Sequence, residues 1–236
     1  MQHPLRVIQY GLGAMGSVMA KMILEKRDLK LVGVIVHHVE DEGKDVGKLI
    51  GLKKKTGVKA TTNAAKLFKS AKANVVLQAT VSYVPKVWEQ IAPAVKAGIN
   101  VVTIAEEMGY PFKKYPKLCA TMDREAKKHG VSILGTGINP GFAMDILPLM
   151  ISGICHSVKH VRVTRLINFA PFGAAIQHNI GIGMTPREFK AGLKAGRLPL
   201  HIGMPECVYE VGDGLGWKID RVKETRDPVF AKHRVK

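Results

Sequence analysis

Apolar segments of strand length alternate with longer segments of helical spacing through the first half of the chain. Strands buried on both faces and separated by helices are typical of a parallel α/β sheet. The predicted strands are Arg6 to Tyr10, Leu31 to Val36, Val58 to Thr61, Asn74 to Ala79, Asn100 to Ile104 and Ser132 to Leu134. The predicted helices are Ala14 to Lys26, Ala64 to Ser70, Val84 to Ala97 and Tyr115 to His129, and the first should bury Met15, Met19, Met22 and Ile23.

The pattern changes after Leu134. Asn139-Pro140, at the end of a glycine-rich loop, predicts an N-cap and a first-turn proline, so a helix should begin at Pro140. Alternating polarity predicts a half-buried strand over Val158 to Asn168, in a separate sheet. Capping and spacing then predict helices from Thr185 to about Ala195 and from Met204 to Leu215. We therefore expect two domains, residues 1–137 and 138–236.

Composition narrows the class of protein. With 236 residues and 46% hydrophobic content, the chain can form a proper core. Its net charge of +17 comes from basic residues that are spread out and not interleaved with aromatic side chains, so we expect no nucleic-acid partner. The most apolar stretch, Gly141 to Ile154, is too short to span a membrane, and no leader precedes the first strand, which predicts a cytoplasmic protein. Three dispersed cysteines predict neither disulfides nor a metal site.

The segment Gly11-Leu12-Gly13-Ala14-Met15-Gly16 fits the GxGxxG pattern. It leaves the first predicted strand and opens the first helix, which is the context that a dinucleotide-binding loop requires. Two glycines permit the turn and the approach of a pyrophosphate to the helix N-terminus, and the third permits close packing. The sequence therefore predicts a Rossmann-type domain that binds a dinucleotide.

The residue expected to bind the ribose is unusual. An acidic residue is expected about 20 positions after the motif, where this chain has Val36 followed by His37 and His38. The histidines remove the carboxylate that would repel a 2′-phosphate, although exposed loop histidines often have no special role. We predict NAD or NADP as the cofactor, with a slight preference for NADP.

Three further loops follow predicted strands four, five and six, where ligands bind in open α/β sheets. They are Ala79-Thr80-Val81-Ser82, Ile104 to Met108 and Gly135 to Phe142. With the opening glycine motif, and with Met204-Pro205-Glu206, Leu215-Gly216-Trp217 and Glu224-Thr225-Arg226, they resemble the 2,4-diaminopentanoate dehydrogenase and amine dehydrogenase group of the dihydrodipicolinate-reductase-like family.

The resemblance implies a Rossmann domain followed by a mixed α+β domain with an open sheet and contacts between subunits, hence a homo-oligomer. It also implies reversible, NAD- or NADP-dependent oxidative deamination of a small amine, with 2,4-diaminopentanoate giving 2-amino-4-oxopentanoate and ammonia. Family members run substantially beyond Lys236, so we expect the second domain to be incomplete. Val36 departs from the acidic residue that the family pattern would place there.

Amine oxidation by hydride transfer needs a neutral nitrogen, hence a general base near the amine. Glu106 and Glu107 are the candidates, and adjacent residues leaving a strand point to opposite sides, so only one can face the site. We favour Glu106 narrowly. Thr80 and Ser82, with Ala79, should line the nicotinamide pocket. The expected partners of the substrate carboxylate are Thr136, Asn139 and the start of the predicted helix at Pro140, Gly141 and Phe142.

Other functions stay open. A dihydrodipicolinate reductase-like imine reductase shares the hydride chemistry, but the chain lacks a His-His-x-x-Lys signature in its second half. A homoserine-dehydrogenase-like role would require a lysine in the loop after strand five, where Glu106 and Glu107 stand. A nonenzymatic dinucleotide-binding protein would bind the cofactor without turning over an amine.

Overall fold

A six-stranded parallel sheet forms the first half of the protein in the computed structural model, which describes residues 3–171 and 173–231. Residues 232–236 of the predicted second domain therefore lie outside the described residues. The strand order is β3-β2-β1-β4-β5-β6. The strands are β1 (Leu5–Tyr10), β2 (Leu29–Ile35), β3 (Ala60–Thr61), β4 (Val75–Gln78), β5 (Asn100–Thr103) and β6 (Ile133–Gly135). All six predicted strands are confirmed, each within a few residues.

Helices connect the strands and cover both faces of the sheet. They are α1 (Ala14–Glu25), α2 (Val46–Leu49), α3 (Ala64–Ser70), α4 (Val84–Lys96) and α5 (Pro116–His129). Adjacent residues of β1 point to opposite faces, so Val7 packs in a cluster with Ala20 and Ile23 of α1, whereas Ile8 packs in a second cluster with α4. The apolar clusters on both faces of the parallel sheet confirm the predicted Rossmann-type domain.

The predicted core face of α1 is wrong for Met15 and Met22, whereas Ile23 is buried as predicted and Met19 is half-buried. The residues of α1 that are buried are Gly16, Ala20 and Ile23. Met15 and Met22 are 46% and 50% exposed. The small residues Gly16 and Ala20 let the helix approach the sheet closely, and this close packing turns the longer side chains outward.

The second half of the described chain contains the helices α6 (Ile146–Ser152), α7 (Ala174–Asn179), α8 (Pro186–Lys194) and α9 (Met204–Gly214). The predicted helices near 185–195 and 204–215 are confirmed, including the capping box in which Thr185 accepts from the Glu188 N–H. The predicted start of a helix at Pro140 is wrong. Residues 138–145 form consecutive turns, and α6 begins at Ile146 with Asp145 as its N-cap.

The predicted strand over Val158 to Asn168 is also not formed. Val161 and Val163 are half-buried between exposed Arg162 and Thr164, so the alternation of burial is present. However, within residues 3–171 and 173–231 no strand lies beside this segment to complete a ladder. Alternating polarity indicates which side chains of an extended segment are buried, whereas a β-strand also needs a hydrogen-bonded neighbour.

The direction of the strand order reverses between β1 and β4, and this reversal positions the site. β2 and β3 lie on one side of β1, and β4, β5 and β6 follow on the other. At such a switch point the loops that leave the carboxyl ends of the strands diverge and leave a crevice. The glycine motif and the three loops that the sequence singled out all lie along this edge.

Candidate active site

The glycine loop between β1 and α1 is closely packed at Gly11 and Gly16 and faces open space at Gly13. Gly11 has φ +94°, and a Cβ there would lie 2.5 Å from the carbonyl oxygen of Ala79. A Cβ on Gly16 would lie 2.0 Å from the Gly11 carbonyl oxygen. Around Gly13, by contrast, no described atom lies within 4 Å of a Cβ position. Gly11 and Gly16 are therefore required for packing, whereas Gly13 faces open space beside the start of α1, which we call the cradle.

The N-terminus of α1 is free to bind an anion. Among the described residues no side chain caps it, and its first turn carries no acidic residue. Its first backbone N–H groups and the positive end of the helix dipole therefore face the cradle beside Gly13. This arrangement fits the pyrophosphate of a dinucleotide.

Three buried polar side chains lie beneath these loops. Gln9, Gln78 and Thr103 are fully buried within β1, β4 and β5. The Thr103 hydroxyl donates to the Gln78 side chain and accepts the Ala105 N–H at 3.0 Å, while Gln78 bonds to Thr80. The hydrogen bonds thus fix the first residues of the two loops after β4 and β5. None of these residues was predicted as part of the site, although a glutamine inside an apolar strand is a signal that could have identified them.

The end of β2 places the two predicted ribose-binding histidines at the surface. Val36 is buried at 7% exposure, and His37 and His38 are exposed. The Nδ1 atom of His38 lies 3.7 Å from a carboxylate oxygen of Glu40. The surface beyond β2 therefore carries two imidazoles, followed by the carboxylates of Glu40, which lies beside His38, and of Asp41, which pairs with Lys44.

The loop after β5 separates the two candidate bases by burial. Glu107 is 1% exposed, whereas Glu106 is half-buried. A Cβ on Gly203 would lie 3.1 Å from the Glu106 Cβ and 2.4 Å from the Pro140 Cγ. Glu106 therefore lies beside the start of α9 and the loop after β6, at the mouth of the crevice.

A cavity of about 500 Å³ opens beside Asn139 and His201. The His201 Nε2 atom lies 3.1 Å from the Asn139 Nδ2 atom and 3.3 Å from an Arg165 guanidinium nitrogen. Burial first, and then the charge of Arg165, lower the pKa of His201, while Glu106 acts in the opposite direction. A neutral imidazole can accept from both donors at Nε2. The cavity is further lined by Lys223, Glu224 and Arg226.

The remaining predicted substrate contacts divide between different surfaces. The Gly141 N–H donates to Asp145 at 2.7 Å, so it is not free for a substrate carboxylate. Thr136 and Gly141 line a second cavity of about 690 Å³ along α5 and β6, and Phe142 is 47% exposed. Of the five residues predicted to bind the substrate carboxylate, only two lie near Glu106 and His201. Asn139 contacts His201, and Pro140 lies beside Gly203 together with Glu106. His201 and Arg165 were missed, since neither lies in a motif.

Acidic groups collect around α9, and one of them, Glu210, lines this second cavity. Burial raises the pKa of Glu206, and burial together with Asp145 raises the pKa of Glu210 to about 7. Asp145, fully buried, accepts the Sγ–H of Cys207 at 3.2 Å, and burial with this carboxylate raises the pKa of the Cys207 thiol. In the part of the chain that the structure describes, no three His, Cys, Asp or Glu side chains are grouped to hold a metal ion. No described helix is long and apolar enough to cross a membrane.

Two family models match the chain. Residues 5–104 match the N-terminus of dihydrodipicolinate reductase, and residues 142–236 match the C-terminal domain of 2,4-diaminopentanoate dehydrogenase. The chain is 35% identical to the 2,4-diaminopentanoate dehydrogenase of Acetoanaerobium sticklandii, covering 95% of this chain and 64% of that protein. It is 23% identical to the amine dehydrogenase of Streptomyces virginiae, covering 94% of this chain and 62% of that protein.

A solved structure has the same fold. The amine dehydrogenase from Mycobacterium smegmatis superposes with a TM-score of 0.77 at 27% identity, covering 92% of this chain and 63% of that one. The chain thus spans slightly under two thirds of the length of these relatives. The first half of the chain thus matches the N-terminal domain model of dihydrodipicolinate reductase, the second half matches the C-terminal domain model of 2,4-diaminopentanoate dehydrogenase, and the fold is that of an amine dehydrogenase.

Proposed function

We propose that this protein catalyses the NAD- or NADP-dependent oxidative deamination of a small amine, with 2,4-diaminopentanoate as the substrate. The observation that carries the proposal is the position of Glu106, half-buried at the end of β5, against Gly203 and near His201. The loops after β1, β4 and β5 are neighbours, so Glu106 lies along the same edge as the cradle at Gly13. The 35% identity to a 2,4-diaminopentanoate dehydrogenase supports the same chemistry.

In the proposed reaction Glu106 first pairs with the substrate ammonium and then accepts its proton. The neutral amine supplies the lone pair that accompanies loss of hydride from the adjacent carbon. The bound dinucleotide supplies the hydride acceptor. Glu106 then assists addition of water to the imine, and collapse of the adduct releases ammonia. In total, the ammonium form of the amine, oxidised cofactor and water give ketone, ammonium, reduced cofactor and one proton.

For the cofactor, we propose that Gly11 to Gly16 and the start of α1 hold the pyrophosphate, and that Ala79, Thr80 and Ser82 line the nicotinamide pocket. His37 and His38 lie beyond β2, where the ribose of a dinucleotide would lie, and neither brings a carboxylate there. The carboxylates that follow lie beside other groups, since Glu40 is 3.7 Å from His38 and Asp41 is 2.9 Å from Lys44. We therefore retain the slight preference for NADP, which the ratio of the two dissociation constants tests.

For the substrate carboxylate, we propose the cavity at Asn139, His201 and Arg165 in place of the N–H groups at Gly141 and Phe142. Three of its lining residues, Arg165, Lys223 and Arg226, are cationic. One of these charges is paired, since Arg226 lies 3.1 Å from Glu224. An Arg guanidinium binds a carboxylate through paired N–H donors. Because Glu106 adjoins this cavity, the two ends of an amino acid could be held at once.

The deciding experiment follows reduction of NAD and NADP spectroscopically with 2,4-diaminopentanoate and with a diamine that lacks the carboxylate. We expect turnover with the amino acid. The Arg165→Met variant should raise KM for the amino acid at least tenfold and leave KM for the diamine unchanged. Arg162→Met, on the same extended segment but outside the cavity, is the matched control.

Other outcomes would assign other functions. Reduction of cyclic imines without amine oxidation would indicate an imine reductase. Dinucleotide binding with no turnover of any amine would indicate a binding protein. The division into residues 1–137 and 138–236 and the homo-oligomeric state also stay proposals, to be tested by limited proteolysis and by light scattering.

A further inference from the structure

We propose that Glu107 is a positioning residue, which with Lys114 holds the turn that carries Glu106 against the loop that carries Ser82. This inference rests on the proposed function. It assigns to the second of the two adjacent acids a role distinct from proton transfer. The two loops concerned are those assigned to the base and to the nicotinamide wall.

Polar contacts from Ser82, Val84, Lys114 and the Tyr115 side chain converge on Glu107. Its backbone N–H donates to the Ser82 carbonyl oxygen at 3.1 Å. One carboxylate oxygen accepts the Val84 N–H at 3.0 Å, and the other forms an ion pair with Lys114. The Glu107 side chain is 1% exposed, whereas that of Lys114 is 52% exposed. Both the backbone and the side chain of one residue therefore connect the loop after β5 to the loop after β4.

The contact with Val84 also explains why an acid is present. Val84 is the first residue of α4, and the preceding Tyr83 makes no side-chain capping bond. Glu107 caps this helix from another loop, where its negative charge interacts favourably with the helix dipole. Burial alone lowers the pKa of Lys114, but the hydrogen bond and charge of Glu107 overcome that effect and raise it. Glu107 thus favours the charged form of Lys114.

The same contacts separate Glu107 from the proposed proton transfer. Its two carboxylate oxygens are engaged with Val84 and Lys114, on the side of α4. The Glu106 side chain leaves the turn towards Gly203 and Pro140. Misplacement of a catalytic group by about 1 Å can cost about 10²-fold in rate. Loss of the contacts from Glu107 to Ser82 and Val84 would therefore lower kcat, because it would misplace Glu106.

The experiment compares Glu107→Gln, Lys114→Met and Lys114→Arg in the whole chain. Glutamine keeps an acceptor for the Val84 N–H and removes the charge. We expect Glu107→Gln to lower kcat about ten- to hundredfold, with KM and the cofactor dissociation constant changed less than threefold. Lys114→Met should show a smaller loss, and Lys114→Arg should restore most of it. Lys113→Met is the matched control, because Lys113 pairs with Asp213 instead.

Two readouts distinguish positioning from proton transfer and from a general structural role. The pH midpoint of kcat should be unchanged in Glu107→Gln, whereas loss of the base removes the ionisation itself. Hydrogen exchange should accelerate in residues 80–88 and 104–109 and stay unchanged in β1 and α1. Wild-type kcat together with unchanged exchange in Glu107→Gln would overturn the proposal, as would loss of the pH dependence. If the wild-type protein oxidises no amine, the proposed function fails, and the exchange measurement still decides whether Glu107 connects the loops.

Discussion

At the scale of single residues, neighbouring positions with the same chemistry have different environments. Glu106 and Glu107 are adjacent in the chain, but Glu107 is buried in contacts with Val84 and Lys114, while Glu106 is half-buried beside Gly203. The glycines at 11 and 13 differ in the same way, because one is enclosed by backbone and the other faces open space. These differences lead to two predictions.

We predict that Glu106→Gln abolishes most turnover and leaves cofactor binding intact. Glutamine keeps the size of the side chain but can neither accept the proton nor attract the substrate ammonium. General-base catalysis contributes about 10²-fold to 10⁴-fold, so kcat should fall on that scale, with the residual rate rising at high pH as neutral amine becomes available. Steady-state kinetics from pH 7 to about 10, with cofactor binding by fluorescence titration, make the comparison. A kcat within threefold of wild type would place the base elsewhere.

We predict that Gly13→Val abolishes dinucleotide binding without unfolding the protein. The Gly13 backbone has φ −64° and ψ −170°, which valine adopts readily, and its Cβ would enter the cradle. Gly173→Val is a matched control, because Gly173 is also a helix N-cap, with φ −62° and ψ 157° and no described atom within 4 Å of a Cβ. Thermal unfolding should be similar for both variants. Equal cofactor affinity in the two variants would remove Gly13 from the binding site.

At the scale of secondary-structure elements, the sequence correctly predicts those strands and helices that depend only on the spacing of nearby residues. The six strands of the sheet and the helix from Ala64 to Ser70 follow from apolar periodicity and turn residues. The failures involve distant partners. The segment from Val158 alternates in burial but forms no ladder with a described strand, and pairing cannot be read from one strand alone.

The candidate site divides in the same way. The glycine loop and the pair of acids lie in motifs, so the sequence located them. His201, by contrast, contacts Asn139 and Arg165, which lie 62 and 36 positions away in the chain. The start of α6 depends on Asp145, which contacts Cys207 on α9, also 62 positions distant. Contacts between residues this far apart depend on the packing of α9, which no local pattern encodes.

We predict that Asp145→Asn destabilises the protein by about 1–3 kcal/mol, because it disturbs three hydrogen bonds to one buried side chain. The carboxylate accepts from the Gly141 N–H, the Ile146 N–H and the Cys207 thiol. Asparagine presents an NH₂ group to at least one of these donors. Urea unfolding gives the free energy, and Thr185→Ala, which removes the exposed cap of α8, should cost only about 1 kcal/mol. Equal losses of stability in the two variants would contradict this account of Asp145.

At the scale of the whole molecule, a strongly basic chain gathers acidic groups where its two halves meet. Tyr110, in the loops beyond β5, donates to Asp213 of α9 at 2.7 Å, and Lys113 lies 2.9 Å from the same carboxylate. Glu210, one turn earlier on α9, lines the cavity along β6, and its Oε2 atom has no hydrogen-bond partner among the described residues. The region where the halves meet therefore includes a carboxyl oxygen that is buried without a described hydrogen-bond partner.

The stability of the whole molecule should fall as the pH rises through Glu210. Burial, followed by the charge of Asp145, raises its pKa from 4.5 to about 7. Between these values the folded protein retains a proton that the unfolded chain has released, so the contribution is fully present below pH 4.5 and is lost as the pH passes 7. Glu210→Gln keeps the neutral shape of the protonated acid. The free energy of unfolding in urea, measured from pH 4.5 to 7.5, should therefore fall less steeply in this variant than in wild type.

Glu188→Gln gives a control of opposite sign. The Thr185 N–H lowers the pKa of Glu188, so its contribution is present above 4.5 and lost as the pH falls through the folded value. That variant should alter the acid side of the stability profile and leave the slope between pH 5 and about 7 unchanged. Parallel profiles for wild type and Glu210→Gln across this window would show that Glu210 is ionised in the folded protein. The unpartnered Oε2 atom would then have to bond to water, and the Glu210 carboxyl group would hold no proton at neutral pH.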